Sequence, residues 1–137
     1  METTVPFKIL LADDDTDDLQ YMKFLFKNHK GFEVLDCLTS GKEVLENITR
    51  FPEPPHILLI DMYMPLITGA DVARTLLEAG TYPGMAIFII STTINKMEEE
   101  KFSGRVHFLQ KPLTLVQIND FPEMILERMN AGNINRI

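Results

Sequence analysis

Three acids, a hydroxyl and a lysine stand directly after short apolar runs in this sequence. They are Asp13 and Asp14, then Asp61 47 residues after Asp14, Ser91 30 residues later and Lys111 20 residues after that. Carboxylates packed together repel one another, so such a cluster is stable only with a cation among them, and few carboxylates with water suit Mg²⁺. A hydroxyl and an ammonium group suit phosphoryl oxygens. The set is therefore equipped for phosphoryl transfer onto Asp61.

Each of these residues alone has an ordinary structural explanation. The acidic run at 13–18 is typical of a helix start, and Asp61 can cap a turn before Pro65. Ser91 can belong to a turn and Lys111 to a loop. Their order and spacing at successive strand ends favour a common site, because in open α/β sheets ligands bind beyond the carboxyl ends of the strands.

Five short apolar or alternating runs predict strands. The run at 57–60 is too short for a buried helix, and its large aliphatic residues are typical of an interior strand in a parallel sheet. The predicted strands are 7–12, 32–38, 57–60, 85–90 and 106–109.

A helical pattern follows each predicted strand. The second helix begins at the capping box Ser40 to Glu43, and the third runs from Thr68 to Gly80. The first begins in the acidic run at 13–18, continues with apolar residues at helical spacing from Leu19 to His29, and stops at Gly31. The fourth is short and charged, about Asn95 to Phe102. The last has its main body after Asp120, with Pro122 in the first turn and Glu123 completing a capping box. This alternation predicts an α/β fold, a doubly wound five-stranded parallel sheet with five helices.

Length and composition predict one domain over residues 1–137, with a core at about 6–130 and a frayed tail at 131–137. The net charge of −7 argues against a nucleic-acid-binding surface. No apolar stretch approaches the roughly 20 residues that span a bilayer, and no signal peptide is present, so we expect a cytoplasmic protein without membrane contact. The single cysteine, Cys37, cannot form an internal disulfide, and we expect it to be a buried strand residue.

Four segments together resemble the receiver domain of two-component response regulators, over about residues 6–130. They are ILLADDD at 9–15, ILLIDMYMPLITG at 57–69, FIIST at 88–92 and FLQKP at 108–112. The resemblance implies a flavodoxin-like receiver topology and, given the chain length, a stand-alone receiver of a two-component or phosphorelay system.

The resemblance also implies a set of site residues. Asp61 would accept a phosphoryl group from a histidine kinase or a histidine phosphotransfer protein, and a Mg²⁺ or Mn²⁺ ion would lie beside it. The implied metal ligands are Asp13, Asp14, Asp61 and the backbone carbonyl of Tyr63, and the implied phosphoryl contacts are Ser91 and Lys111.

A switch follows from the same resemblance. Phosphorylation would draw Ser91 inward, Phe108 would follow, and the face formed by helix four, strand five and helix five would change for a downstream target that the sequence does not name. Tyr63 and Thr93 match positions that tune dephosphorylation in this family, and the Lys111-Pro112 bond is a candidate for a cis peptide. The segment from Ser91 to Lys111 is short for the family, which predicts a shortened fourth helix.

The sequence disfavours three other functions. A phosphohydrolase with an aspartate nucleophile needs an acid two residues further on, where this chain has Tyr63. A flavodoxin-like cofactor site needs a glycine- or hydroxyl-rich phosphate loop, which does not follow the first strand. A receiver-like protein-interaction module that no longer uses phosphate is disfavoured by the complete set of acids, hydroxyl and lysine. We expect no enzyme beyond catalysis of the chain's own phosphorylation and dephosphorylation on Asp61.

Overall fold

The computed structural model describes residues 5–93 and 96–132, and within them five strands alternate with five helices. The predicted order of elements is confirmed, with strand limits within one residue of those expected. The elements are β1 (Phe7–Ala12), α1 (Thr16–Lys27), β2 (Phe32–Leu38), α2 (Gly41–Asn47), β3 (Ile57–Asp61), α3 (Gly69–Ala79), β4 (Ala86–Ser91), α4 (Lys96–Glu100), β5 (Val106–Gln110) and α5 (Leu115–Gly132).

All four strand pairs are parallel, and the strand order is β2-β1-β3-β4-β5. The predicted α/β fold with a doubly wound parallel sheet is therefore confirmed. From β1 the chain first adds β2 on one side. It then crosses to the other side of β1 and adds β3, β4 and β5 in turn, so the direction of winding reverses between β1 and β3. Ligands bind at the carboxyl ends of the strands at such a reversal.

The sheet is buried on both faces, because its inner strands alternate their apolar side chains between two clusters. Leu10 and Leu58 pack with Val72 of α3 on one face. Ile9 and Leu59 pack on the other face, where α1 and α5 lie. Burial on both faces explains why the inner strands are continuously apolar.

Helix α5 begins earlier than the sequence predicted. It starts at Leu115, and Thr114 is the capping residue: the Thr114 hydroxyl accepts the Gln117 N–H at 3.1 Å, and the Gln117 side-chain oxygen accepts the Leu113 N–H at 2.9 Å and the Thr114 N–H at 3.3 Å. The prediction that the main body of this helix follows Asp120 was wrong, because Thr114 and Gln117 cap the helix six residues further upstream.

Pro122 therefore lies inside α5 rather than in its first turn. A proline there removes one backbone hydrogen bond, which disfavours the helix. Phe121 and Ile125, both almost fully buried against the sheet, offset that loss by packing. Glu123 forms no capping box and instead places its carboxylate 2.8 Å from Nε2 of His29.

Two smaller expectations, for His29 and for Cys37, were also wrong. Helix α1 ends at Lys27 with Asn28 as its C-cap, so His29 lies beyond the helix. Cys37 is half-buried rather than buried. No peptide bond among residues 5–93 and 96–132 is cis, so the Lys111-Pro112 bond is trans, the form that an X-Pro bond ordinarily prefers.

Helix α4 is short, as predicted, and spans Lys96–Glu100. Asn95, where the sequence placed its start, lies outside the described residues, as does most of the predicted frayed tail at 131–137. Within the part of the chain that is described, no helix has the length and apolar character needed to cross a membrane.

Candidate functional site

Four strand ends form the site at one edge of the sheet. Asp61 and Ser91 are the last residues of β3 and β4, while Asp13 and Lys111 are the residues directly after β1 and β5. Backbone hydrogen bonds continue the sheet up to these positions, since the Asp13 N–H donates to Leu38 at 3.0 Å and the Lys111 N–H donates to Ser91 at 2.7 Å. The sheet itself therefore fixes where these side chains begin.

The three predicted acids form one cluster. Carboxylate oxygens of Asp13, Asp14 and Asp61 all lie within 4.8 Å of one another. Asp13 and Asp61 are only 5% and 7% exposed, while Asp14 is exposed. Three carboxylates, one of them open to water, fit a hard divalent cation that keeps part of its hydration shell.

Burial and mutual repulsion oppose ionisation of this cluster. Burial, followed by the charge of Asp13, raises the pKa of Asp61 to about 6; Lys111 opposes the shift and Asp14 adds to it. Burial likewise raises the pKa of Asp13, although the Asp15 N–H and Lys111 stabilise its charged form. A cation among the carboxylates would remove the repulsion, which is the physical reason to expect one.

Lys111 reaches into the cluster from the end of β5. Its Nζ lies 3.0 Å from Oδ2 of Asp13, 3.1 Å from Oδ2 of Asp18 and 3.3 Å from Oδ1 of Asp61. Burial would lower the pKa of Lys111, but the hydrogen bond with Asp13 and the charges of Asp13 and Asp61 outweigh it and raise the pKa. The side chain is therefore a fixed positive charge beside Asp61.

The sequence did not predict the role of Asp18 as a partner of Lys111. Asp18 lies in the first turn of α1, where its type is explained by the helix dipole alone. The position of Asp18 in the sequence could have indicated this role, since the first turn of a helix that follows β1 lies above the same sheet edge as Lys111. Sequence spacing does not reveal which acid of the run at 13–18 faces the lysine.

A second group of predicted residues surrounds a pocket of about 290 Å³ next to the acid cluster. Tyr63, Ser91, Thr93 and Phe108 all line it. Ser91 is 3% exposed, and its hydroxyl accepts the backbone N–H of Thr93 at 3.2 Å. The structure thus brings the four residues together around one space.

Phe108 is already buried in this arrangement, at 7% exposed. Its ring centroid lies 6.0 Å from that of Phe102, and its backbone N–H donates to the Glu99 carboxylate at 3.3 Å. Any movement coupled to Ser91 would therefore be a rearrangement inside the protein and not an entry from solvent.

Gly69 explains how α3 can begin so close to Asp61. A Cβ added to Gly69 would lie 2.6 Å from the backbone oxygen of Asp61, which no side chain tolerates without a shift. The Gly69 N–H donates to the Met62 carbonyl at 2.8 Å, which fastens the helix start to the strand end. The backbone that carries Asp61 is thus held tightly on this side.

Comparison with known proteins gives one consistent answer. The family model described as response regulator receiver domain matches residues 9–121. The protein-glutamate methylesterase/protein-glutamine glutaminase of Bacillus subtilis (strain 168) is 22% identical over 134 residues, which is 93% of this chain and 36% of that protein. The tetrathionate response regulatory protein TtrR of Salmonella typhimurium is 29% identical over 128 residues, 93% of this chain and 60% of that protein.

Solved structures agree with the family model. A response regulator receiver domain protein from Clostridium thermocellum has a TM-score of 0.72 at 27% identity, with 93% of this chain and 98% of that chain covered. The chain spans about a third to three fifths of the two curated relatives, and so corresponds to only one part of each.

Proposed function

This chain belongs to the response regulator receiver domain family of two-component signalling, and from that premise we propose that it is a phosphoacceptor switch phosphorylated on Asp61. The observation that carries the proposal is the contact of the Lys111 ammonium with both Asp13 and Asp61, beside a cluster of three carboxylates at the sheet edge. A buried carboxylate with a fixed ammonium beside it is suited to receive a phosphoryl group.

The proposed reaction uses the Asp61 carboxylate as nucleophile. One of its oxygens attacks the phosphorus of a phosphohistidine, the new O–P bond forms, and the N–P bond breaks with its electron pair returning to the donor's imidazole. Lys111 stabilises the negative charge that the phosphoryl oxygens carry, and the buried Ser91 hydroxyl donates a hydrogen bond to one of them. Asp61 must be ionised to attack, and a cation among the carboxylates would favour that charged form.

The same cluster supports a metal requirement. Asp13, Asp14 and Asp61, with the Tyr63 carbonyl, would hold Mg²⁺ or Mn²⁺. When bound, such an ion neutralises the crowded carboxylates and the charge on the phosphoryl oxygens. Asp13 then has two functions, because it also holds Lys111 at 3.0 Å.

The proposed donor is a histidine kinase or a histidine phosphotransfer protein, and the proposed output is protein binding without turnover of an external substrate. The face formed by α4, β5 and α5 would change as Ser91 and Phe108 rearrange around their shared pocket. Moving that face from mostly off to mostly on requires the phosphoryl group to favour the second state by about 5 kcal/mol. Tyr63 and Thr93 line the same pocket. Their proposed role is to influence how water reaches the phosphoryl group.

The decisive test is labelling with acetyl phosphate in the presence of Mg²⁺. We expect the wild-type protein to be labelled, Asp61→Asn to remain unlabelled, and Asp36→Asn, an exposed acid on β2, to behave as wild type. Chelation of the metal with EDTA should abolish labelling. Persistent labelling of Asp61→Asn would remove Asp61 from this role, and an unlabelled wild type would favour the interaction module that no longer uses phosphate.

A further inference from the structure

All three N–H donors of the Lys111 ammonium have a carboxylate within reach. The partners are Asp13 at 3.0 Å, Asp18 at 3.1 Å and Asp61 at 3.3 Å. A lysine ammonium has three donors and no more. The contacts with Asp13 and Asp61 are hydrogen bonds and the contact with Asp18 is an ion pair. A phosphoryl group on Asp61 therefore competes with these carboxylates for the ammonium.

The three carboxylates differ in how easily they can be replaced. The side chains of Asp13 and Asp61 are 7% and 9% exposed, whereas that of Asp18 is 48% exposed. Asp13 and Asp61 also belong to the carboxylate cluster, from which Asp18 is absent. Water can solvate Asp18 when it loses Lys111, so exchange at Asp18 leaves no buried charge unpaired.

We propose that Asp18 is a positioning residue for Lys111 that competes with the phosphoryl group for its ammonium. The inference rests on the proposed function, because it concerns the same lysine and the same phosphoryl group. In the unphosphorylated protein the ion pair with Asp18 holds Lys111 toward α1. On phosphorylation Lys111 leaves that ion pair and donates a hydrogen bond to a phosphoryl oxygen. Asp18 thereby weakens binding of the phosphoryl group and sets how readily the switch turns on.

Removal of the Asp18 charge should leave the fold intact. Helix α1 keeps its buried Leu19, Met22 and Phe26 and its contact with α5, where the Tyr21 hydroxyl donates to Asn119 at 3.1 Å. Its N-cap, Asp15, accepts the N–H groups of both Asp17 and Asp18 regardless of their side chains.

The chain offers a matched control in Asp17. Asp17→Asn and Asp18→Asn remove the same charge from the first turn of the same helix, so they change the net charge and the dipole interaction alike. Only Asp18 pairs with Lys111 among the described first-turn acids of α1. A difference between the two variants therefore reports the contact with Lys111.

The experiment is a titration of the full chain with beryllofluoride, a phosphoryl mimic, at fixed Mg²⁺, followed by amide NMR. We expect the half-saturating concentration of beryllofluoride to fall about fivefold in Asp18→Asn, since an exposed ion pair changes an equilibrium constant by up to about that factor. In Asp17→Asn, which has no such pair to lose, it should fall less than about twofold. Asp18→Glu should have a half-saturating concentration close to that of wild type, because it keeps a carboxylate to compete for Lys111. With phosphoramidate as donor, Asp18→Asn should lower the half-saturating concentration while the maximal rate changes less than about twofold.

Equal binding by the two Asn variants, or weaker binding by Asp18→Asn, would overturn the inference about Asp18. If the wild type is still labelled on Asp61 in that case, the proposed function stands. A wild type that neither binds beryllofluoride nor becomes labelled would overturn both, so the two failures are distinguishable. Thermal unfolding of each variant, expected to be cooperative with a Tm within a few degrees of wild type, excludes loss of folding as the cause.

Discussion

Helices α3 and α4 follow neighbouring strands of the sheet, yet they are held in different ways. Helix α3 has 11 residues, five of them buried, with a complete capping box between Thr68 and Asp71 and a left-handed Gly80 at its end. Helix α4 has five residues, and none of them is buried. The strand before α3 ends in Asp61 and the strand before α4 ends in Ser91.

Charged and polar side chains hold α4 in place. Glu98 lies 3.7 Å from Arg74 of α3 and 3.3 Å from Lys101, while Glu99 accepts the backbone N–H of Phe108. The Arg74 guanidinium also lies 5.7 Å from the centroid of the Phe102 ring. Exposed ion pairs contribute about 0–1 kcal/mol each, far less than a buried aliphatic side chain.

The site thus has a side held by packing, at α3, and a side held mainly by surface contacts, at α4. Packing and capping fix the backbone that presents Asp61. Helix α4, on the side of Ser91 and Phe108, has no buried residue and is held mainly by ion pairs and by the contact of Arg74 with Phe102 just past its end. Regions that rearrange are drawn from the least stable parts of a fold. The arrangement therefore suits a fixed phosphoacceptor joined to a movable output face.

The largest expected difference is in core packing. Leu76 of α3 is 3% exposed and Met97 of α4 is 73% exposed. Leu76→Ala should lower the free energy of unfolding by about 3 kcal/mol, because it leaves a cavity, while Met97→Ala should change it by less than about 0.5 kcal/mol. Urea denaturation measures both. Similar losses in the two variants would contradict the distinction between the helices.

Burial and repulsion between carboxylates destabilise the charged form of Asp61 at the strand end that α3 supports. The pKa of Asp61 is about 6 in the folded protein against 3.8 for the unperturbed group, so the folded state prefers the protonated form. Its contribution to stability is full below a pH of about 4 and is lost as the pH rises through 6. Without metal, Asp61→Asn should therefore be more stable than wild type by about 2 kcal/mol at pH 7.5.

This advantage of Asp61→Asn should disappear at pH 4, and saturating Mg²⁺ should reduce it at pH 7.5 by stabilising the wild type. Thermal or urea unfolding in EDTA at several pH values provides the measurement. An Asn variant less stable than wild type at pH 7.5 would show that Lys111 compensates the buried charge fully.

Glycines at the two ends of α3 give a smaller, more local effect. Gly69→Ala should cost about 1–2 kcal/mol, because its Cβ must displace the Asp61 backbone, and it should also slow labelling of Asp61. Gly80→Ala is the control: nothing lies within 4 Å of its added Cβ, and its φ of 69° costs about 1 kcal/mol without reaching the site. Equal labelling rates in the two variants would show that the start of α3 does not position Asp61.

The contrast between the helices also explains what the sequence could predict. The start of α3 at Thr68 and its end at Gly80 were predictable, because caps depend on residues within one turn. The positions of Asp61 and Lys111 were predictable for a related reason, since an apolar run reveals where a strand ends. The pairing of Lys111 with Asp18 was not, because 93 residues separate them and only the folded sheet brings them together.

The same limit applies to α5 and α4. The cap at Thr114 is visible in the sequence, but a proline disfavours a helix interior, so Pro122 predicted a helix start close to position 120. The buried packing of Phe121, which offsets that cost, depends on the folded protein and not on local propensity. The contact of α4 with Arg74 could not be predicted, because a surface arginine has many possible acidic partners in the sequence and only the fold selects Glu98.

The smallest expected effect on stability comes from Arg74, the residue through which α3 holds α4. Arg74→Ala removes the contacts with Glu98 and Phe102 and should lower the free energy of unfolding by less than about 1 kcal/mol. Arg74 also pairs with Asp71 inside α3 at 3.2 Å, but α3 keeps its five buried residues. Amide hydrogen exchange should therefore accelerate in α4, up to about fivefold, and less in α3. Arg74→Lys retains the charge but not the planar guanidinium, so exchange should be intermediate. Unchanged exchange in α4 would mean that Glu99 and the edge of β5 are sufficient to hold it.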